Sequence, residues 1–296
     1  MKLWIIRLIC GAAVAQLACA DVPQAAIKKD NKALFAKWAK VKEPSAGSVD
    51  PTGTYAAGCL FGASKLELDG TGYAVMRPSR NRYYSHPSMI SYLHGLGERL
   101  HQAKLPLLLV GDVSPPRGGP MNTGHNSHQI GLDADLWLRM STKRPSKLNR
   151  EKWTAAAFVI ARKKLKDSWS STQIQLISAA ADFPQVNRIF VSPAIKKYFC
   201  ENHSEAPWLY KLRSWWSHED HIHVRLNCPS DGAHCQPQPA LDPHDNSCGK
   251  DLDWWLSKEA DDEWDKIVHD TTERQFPDLP PSCEDLVKDI SVKADK

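Results

Sequence analysis

The chain has 296 residues, of which 42% are hydrophobic, and it carries a formal net charge of +4. This length allows one large domain or two small ones. The charge is too small to indicate a nucleic-acid partner, and it argues against that class of function.

Residues 1–20 have the pattern of a signal peptide. Lys2 and Arg7 accompany an apolar run, which ends in the small-x-small cleavage pattern Ala18-Cys19-Ala20. No later segment holds the roughly 20 consecutive apolar residues that a membrane span needs. The sequence therefore predicts an exported protein with no transmembrane span, and lipid attachment at Cys19 is the less favoured alternative.

The cysteines that follow the signal peptide are typical of an exported protein with disulfides. Their number is even, as expected when all of them pair, but the sequence alone leaves the pairing open. Pro229 and Asp231-Gly232 favour a turn that could join the third cysteine to the fourth. The six cysteines are Cys59, Cys200, Cys228, Cys235, Cys248 and Cys283.

Beyond the signal peptide we expect an N-terminal arm at 21–54, a catalytic domain at 55–250, and a C-terminal tail at 251–296 tied back through Cys283. Apolar spacing predicts helices at 33–41, 88–102, 152–166, 172–181, 193–199 and 262–271. Apolar runs and alternation predict strands at 105–110, 133–138, 188–191 and 221–226. Few strands among helices and long loops indicate an α+β fold, a mixed domain with a central antiparallel sheet, flanking helices and disulfides.

Two of these strands carry candidate metal ligands. Alternation places Asp133 and Asp135 on one face of their strand. In the same way His221 and His223 share one face, about 6.6 Å apart, while Ile222 points toward a core. Each strand therefore presents polar side chains from a rigid element.

Together with the preceding loop, the strands offer a complete ligand set. A catalytic zinc takes three protein ligands and keeps one position open for water. His128, Asp135 and His223 supply two imidazoles and a carboxylate of that kind. A His-x-His pair by itself is more often a packed or surface pair, but His128 and Asp135 reverse that preference.

The motifs around these ligands resemble a known family, the penicillin-insensitive murein endopeptidases of the lysostaphin, D-alanyl-D-alanine peptidase and hedgehog superfamily. The resemblance extends from about residue 55 to Cys283. Its first motif is Gly124-His125-x-Ser127-His128-Gln129-x-Gly131-Leu132-Asp133-x-Asp135. Its second motif is His218-x-x-His221-x-His223-Val224-Arg225-Leu226-x-Cys228-Pro229.

The resemblance implies roles for single residues. It makes His128, Asp135 and His223 the zinc ligands, and it makes His218 and His221 active-site histidines. His125 matches a position that could contact a second metal or only line the cleft. The implied disulfides are Cys59 with Cys283, Cys200 with Cys248 and Cys228 with Cys235.

The implied activity is hydrolysis of D-alanyl–meso-diaminopimelyl cross-links in periplasmic peptidoglycan by a zinc-dependent, penicillin-insensitive endopeptidase. Peptidoglycan stem peptides are then the expected partners. His221 is the first candidate for proton transfer or for holding the oxyanion, and His218 could share either task. Two alternatives remain, a D-Ala-D-Ala carboxypeptidase and a non-catalytic cell-wall-binding protein.

Three arginines could also meet the carboxylates of stem peptides. They are Arg82, Arg117 and Arg225, although a solvated surface position is the commoner explanation for an arginine.

Overall fold

The computed structural model describes residues 31–121, 125–269 and 278–291, so the predicted signal peptide lies outside the described residues. The helices are α1 Asn31–Trp38, α2 Pro87–Gln102, α3 Lys147–Lys152, α4 Ser171–Ala181, α5 Pro193–Asn202, α6 Lys250–Trp255, α7 Lys258–His269 and α8 Pro281–Asp285. The strands are β1 Asp50–Thr54, β2 Ala57–Phe61, β3 Ser64–Lys65, β4 Asp69–Gly70, β5 Tyr73–Val75, β6 Tyr84–Ser85, β7 Leu108–Val110, β8 Asp133–Trp137, β9 Val159–Ile160, β10 Lys164–Leu165, β11 Val186–Val191, β12 Leu212–Ser214 and β13 His221–Leu226.

A seven-stranded sheet in the order β12-β11-β13-β8-β7-β5-β4 is the centre of the fold. β5 pairs with β7 in parallel, and so does β11 with β12, whereas the remaining pairs are antiparallel. The prediction of an antiparallel sheet is therefore wrong in this respect, because the sheet is mixed. The reason is the connections: α2 lies between β5 and β7, and α5 lies between β11 and β12, and parallel neighbours need crossovers of this kind.

The core lies on one face of this sheet. Leu136 of β8 and Ile222 of β13 are fully buried in one apolar cluster with residues of α2 and α4. Helix α2 begins where the His86 side chain accepts a hydrogen bond from the Ser88 amide, with Pro87 in the first turn. The helices cover the apolar face of β8 and β13, so the opposite, polar face remains for the candidate site.

The helix predicted at 152–166 is wrong. Only the short α3 ends there, and the chain then forms the antiparallel pair β9–β10. Ala161 and Arg162 at the turn have positive φ angles of 46° and 62°, which a continuous helix does not allow. The Phe158 amide donates to the Glu219 carbonyl, so a long-range contact replaced the local helical preference.

Three disulfides hold the periphery to the core. They join Cys59 to Cys283, Cys200 to Cys248 and Cys228 to Cys235, which are the pairings that the resemblance implies. The first bond attaches α8 to β2, and both cysteines lie in a small apolar cluster with Phe35 and Trp38 of α1. Across the part of the chain that the structure describes, no helix is long and apolar enough to cross a membrane.

Candidate metal centre

The candidate site is built on the polar face of β8 and β13. These strands are antiparallel neighbours, with His223 opposite Asp135 and Arg225 opposite Asp133. Because side chains alternate along a strand, all four of these side chains lie on the same face of the sheet. The two motifs, far apart in sequence, therefore meet on neighbouring strands.

The Asp135 carboxylate is the geometric centre of the site. Its Oδ1 atom lies 3.3 Å from His128 Nε2, 3.7 Å from His223 Nδ1 and 3.8 Å from His221 Nε2. Its Oδ2 atom lies 3.5 Å from His125 Nδ1. Two ligand atoms that share one tetrahedral zinc are about 3.4 Å apart, given bonds of about 2.1 Å. The spacing around Asp135 is thus compatible with a shared ion, and ligand atoms of His125, His128 and Asp135 all lie within 4.8 Å of one another.

Hydrogen bonds fix which nitrogen each imidazole presents. His128 Nδ1 lies 2.6 Å from the Val113 carbonyl oxygen, which can only accept, so Nδ1 is the donor. His223 Nε2 lies 2.9 Å from Asp133 Oδ1 and donates to that carboxylate. When the two rings are neutral, their unprotonated nitrogens, His128 Nε2 and His223 Nδ1, are then the ones that face Asp135. Metal-binding histidines in proteins are oriented in this way by a bond at their other nitrogen.

Two atoms at the centre have no hydrogen bond among the described residues. They are His128 Nε2 and Asp135 Oδ1, and both are buried. A buried polar atom without a partner is uncommon and calls for an explanation such as a bound ion. These two orphaned atoms, a nitrogen and a carboxylate oxygen facing each other, fit the donor types of a metal site.

A support network of Asp133 and Arg225 lies beside the centre. Asp133 Oδ1 accepts from Arg225 Nε at 2.7 Å and from His223, while Oδ2 accepts from the His128 amide at 3.0 Å. Burial raises the pKa of Asp133, but Arg225 and His223 outweigh burial and hold it well below the usual range. The network therefore positions two of the candidate ligands at once, one through its side chain and one through its backbone.

The backbone at His128 depends on that network. Its φ of 66° is left-handed, a conformation that costs roughly 1–2 kcal/mol for a residue with a Cβ atom. The bond from the His128 amide to Asp133 stabilises this conformation. The loop can thus turn the imidazole back toward β8.

His218 and His221 lie side by side, with ring centroids 4.9 Å apart. His218 Nδ1 donates to the Trp216 carbonyl, and burial followed by the nearby His221 and His223 holds its pKa well below the usual value. Burial also lowers the pKa of His221, but Asp135 and Asp220 outweigh it, so that pKa is raised. In the metal-free protein the pair thus combines a neutral imidazole with one that takes up a proton more readily.

His125 belongs to a second carboxylate, that of Asp112. Asp112 Oδ2 lies 3.0 Å from His125 Nε2, 3.0 Å from Arg80 Nη1 and 2.8 Å from Arg82 Nη1. Burial raises the pKa of Asp112, but the bond with His125 and the two arginines hold it well below its usual range. His125 therefore bridges Asp112 and Asp135.

A cavity of about 330 Å³ opens over the centre. Its lining includes His125, Asp135 and His221 as well as Arg77 and Trp137. The floor is narrow at Gly111, where an added Cβ atom would lie 2.9 Å from the Trp137 indole nitrogen. The volume of the cavity falls within the range of ligand pockets, and Asp135 is part of its lining.

An aromatic cluster lies next to the histidines. The ring centroid of Phe190 lies 5.3 Å from that of His223 and 5.7 Å from that of Trp215. Trp215 and Trp254 are 47% and 38% exposed, whereas Trp255 is buried at 8%. The cluster thus has a packed interior and an exposed rim on the protein surface.

The three arginines singled out in the sequence all have structural partners. Arg82 binds Asp112, Arg225 binds Asp133, and Arg117 contacts the Leu286 carbonyl and Asp289. No sequence pattern indicates Arg77, which lines the cavity, or the supporting role of Asp133. The Asp-x-Asp alternation placed Asp133 correctly, but its partners are long-range contacts.

Comparison with known proteins identifies the family of this chain. A family model described as penicillin-insensitive murein endopeptidase matches residues 51–288. A protein of that name from Haemophilus influenzae is 44% identical over 225 residues, covering 74% of this chain and 78% of its own length. One from Yersinia enterocolitica is 36% identical over 257 residues, covering 84% and 90%.

These matches define the class of the protein as a hydrolase of the peptidase type. The chain belongs to the penicillin-insensitive murein endopeptidase family.

Proposed function

We propose that this protein is a zinc-dependent endopeptidase that hydrolyses D-alanyl–meso-diaminopimelyl cross-links of peptidoglycan and is insensitive to penicillin. The observation that carries the proposal is the pair of orphaned, buried atoms at the centre of the site, His128 Nε2 and Asp135 Oδ1. Membership of the family supplies the substrate class. The three disulfides are consistent with an oxidising compartment such as the periplasm.

We assign zinc to His128, Asp135 and His223. The shortest mutual distances favour His125 as the third group, since its ligand atom lies in the tight cluster with the other two. However, His125 faces Asp135 Oδ2, whereas His128 and His223 both face Oδ1. One ion bound at Oδ1 would therefore take His223, and His125 would line the cleft or meet a second ion at Oδ2. A metal-content measurement decides between one equivalent and two.

Bound zinc would act as a Lewis acid toward the scissile carbonyl and would make water a nucleophile near neutral pH. The remaining tasks belong to the chain. His221 Nδ1 contacts Asp220 Oδ1 at 2.6 Å, so its Nε2 is oriented toward Asp135 and the cavity. His221 can then hold the developing oxyanion or pass a proton to the leaving amine.

His218 can accept a proton in the same reaction. Its Nδ1 hydrogen bonds the Trp216 carbonyl, which leaves Nε2 as the basic nitrogen. Burial keeps His218 neutral, so its Nε2 is free to take a proton, but the lowered pKa makes it a weaker base than His221.

The test is digestion of purified peptidoglycan, followed by mass spectrometry of the released fragments. We expect zinc-loaded protein to convert D-alanyl–diaminopimelyl dimers into monomers, with or without penicillin, and a chelator to stop the conversion. His128→Ala and His223→Ala should abolish it while circular dichroism shows an intact fold. His101→Ala, at an exposed position on α2, is the matched control.

Each other outcome points to a different function. Release of only terminal D-alanine from monomers would identify a carboxypeptidase. Binding to the wall without any cleavage, with zinc present, would identify a non-catalytic binding protein. Cleavage that persists in zinc-free protein would contradict the metal mechanism.

A further inference from the structure

We propose that Arg77 binds a free carboxylate of the substrate. This carboxylate is carried by the carbon atom that is bonded to the nitrogen of the scissile amide. This inference rests on the proposed function and extends it by naming the group that the cavity recognises. Arg77 lines the same cavity as Asp135, Trp137 and His221.

The backbone of Arg77 directs its side chain into the cavity. The residue follows β5 and precedes a 3-10 helix at Pro78–Arg80, with φ 51° and ψ 50°. This left-handed conformation is unfavourable for an arginine and is held by a bond from the Arg77 amide to the Arg150 carbonyl, 3.0 Å long. Unfavourable backbone conformations of this kind cluster at ligand-binding sites.

The side chain of Arg77 is held against an aromatic ring. Its Cζ atom lies 5.5 Å from the centre of the Trp137 ring, close enough for a cation–π contact. Trp137 itself is buried and belongs to β8, two residues after Asp135. The guanidinium thus contacts a side chain of β8, the strand that also carries Asp135.

The guanidinium of Arg77 makes no close contact with a carboxylate in the part of the chain that the structure describes. Among the described residues, no carboxylate oxygen forms an ion pair with its guanidinium, whereas Arg80 and Arg82 both bind Asp112. Asp112 also bonds His125, so its oxygen is already shared by three donors. An arginine stays protonated in proteins, and the carboxylates whose charge acts on Arg77, those of Asp112, Asp220 and Glu151, form no ion pair with it, so its N–H donors remain available to a ligand in the cavity.

A carboxylate is the ligand that matches this arrangement. The planar guanidinium binds a carboxylate with two parallel hydrogen bonds. The negative charge of Asp135 would repel an anionic ligand in this cavity, so the ligand needs a cation such as Arg77 to bind there. In the proposed cross-link, the carbon attached to the scissile nitrogen also bears a free carboxylate. Binding that group at Arg77 would hold the amide over the part of the cavity that Asp135 and His221 line.

The experiment compares two substrates and two variants. The substrates are synthetic cross-linked peptides in which this carboxylate is either free or converted to an amide. We expect the wild-type protein to cleave the free acid with a kcat/KM about 10–100-fold higher, mainly through KM, since a charged hydrogen bond of this type has that magnitude. Arg77→Gln should lose this factor on the free acid and leave the amide substrate unchanged.

The matched control is Arg139→Gln. Arg139 also stacks on a tryptophan, 4.4 Å from the Trp153 ring, but does not line the cavity. It should retain the wild-type preference for the free acid. Equal cleavage of both substrates by the wild-type protein would overturn the inference while leaving the proposed function intact. An equal loss on both substrates in Arg77→Gln would also overturn it, because a purely structural role predicts that result.

Binding separates this inference from the activity itself. Calorimetry with the diaminopimelate product peptide, as free acid or amide, needs no turnover. We expect the wild-type protein to bind the acid more tightly and Arg77→Gln to bind both forms alike. If the wild-type protein cleaves neither substrate, the proposed function fails, and equal binding of the two product forms would then overturn the Arg77 site as well.

Discussion

Two aspartates of the strand β8 differ in the hydrogen bonds that their carboxylates accept. Asp133, in the support network, is fully buried and accepts bonds from Arg225, from His223 and from the His128 amide. Asp135, two residues later and 5% exposed, has an Oδ1 atom without a hydrogen bond among the described residues. Both face the same side of β8, yet one carboxylate is saturated and the other remains open.

The contrast shows how a strand can hold ligands and their supports together. A saturated carboxylate fixes the rings of His128 and His223, and an open one is left for an ion. The two aspartates differ in their hydrogen-bond partners and not in residue type. We therefore expect different effects when each of them is substituted.

The largest effect is expected for Asp135→Asn. The substitution keeps the size of the side chain but removes the charge that the centre offers to zinc. We expect zinc binding to be lost. Peptidoglycan hydrolysis should fall by more than roughly 100-fold, which is the upper end of the effect of removing a residue that only hydrogen bonds a metal ligand. Zinc content and dimer cleavage measure both, with exposed Asp167→Asn as control. A variant that binds zinc and cleaves at the wild-type rate would remove Asp135 from the centre.

His221→Ala should separate catalysis from metal binding. Since His221 is proposed to handle protons or the oxyanion, we expect kcat to fall by about 10²–10⁴-fold. Zinc content should stay at the wild-type value, because the assigned ligands remain. Turnover of a cross-linked peptide and metal analysis of the same sample provide the test. Loss of zinc from this variant would make His221 a ligand.

Asp133→Asn tests the support network. We expect zinc affinity to fall by about 10–100-fold. Removing the charge also leaves Arg225 buried without its counterion, so the free energy of unfolding should fall by about 3–5 kcal/mol. Zinc titration and urea unfolding measure the two effects. Unchanged zinc affinity in a destabilised variant would show that Asp133 supports the fold but not the centre.

The smallest effect concerns pH in the zinc-free protein. Burial lowers the pKa of His128, but Asp135 raises it more, from 6.5 to about 9. A raised pKa stabilises the folded state below pH 6.5, and this stabilisation is lost as the pH rises through about 9. The stability advantage of zinc-free wild type over Asp135→Asn should therefore shrink across this range. Thermal unfolding of both proteins at several pH values checks it, and a constant difference would contradict it.

Local patterns predicted the parts of the site that lie on regular elements. Alternation placed Asp135 and His223 on strands and on the correct faces, because a half-buried strand repeats every two residues. The helix α2 was predicted almost to its bounds, since its apolar positions follow helical spacing and Pro87 marks its start.

What the sequence could not predict depends on distant contacts. The strands β5 and β12 have three residues each, and each joins the rest of the sheet through a parallel pairing, β5 with β7 and β12 with β11. The segment 152–166 forms a hairpin because Phe158 bonds to Glu219. Arg77 reaches the cavity through a left-handed backbone that no residue type announced.

The most direct test is a crystal structure of the zinc-soaked protein with anomalous diffraction at the zinc edge. The account predicts a peak within about 2.0–2.2 Å of His128 Nε2, an Asp135 carboxylate oxygen and His223 Nδ1. A zinc peak that contacts neither His128 nor His223 would contradict this assignment. So would the absence of any zinc peak in a soaked crystal whose protein is active.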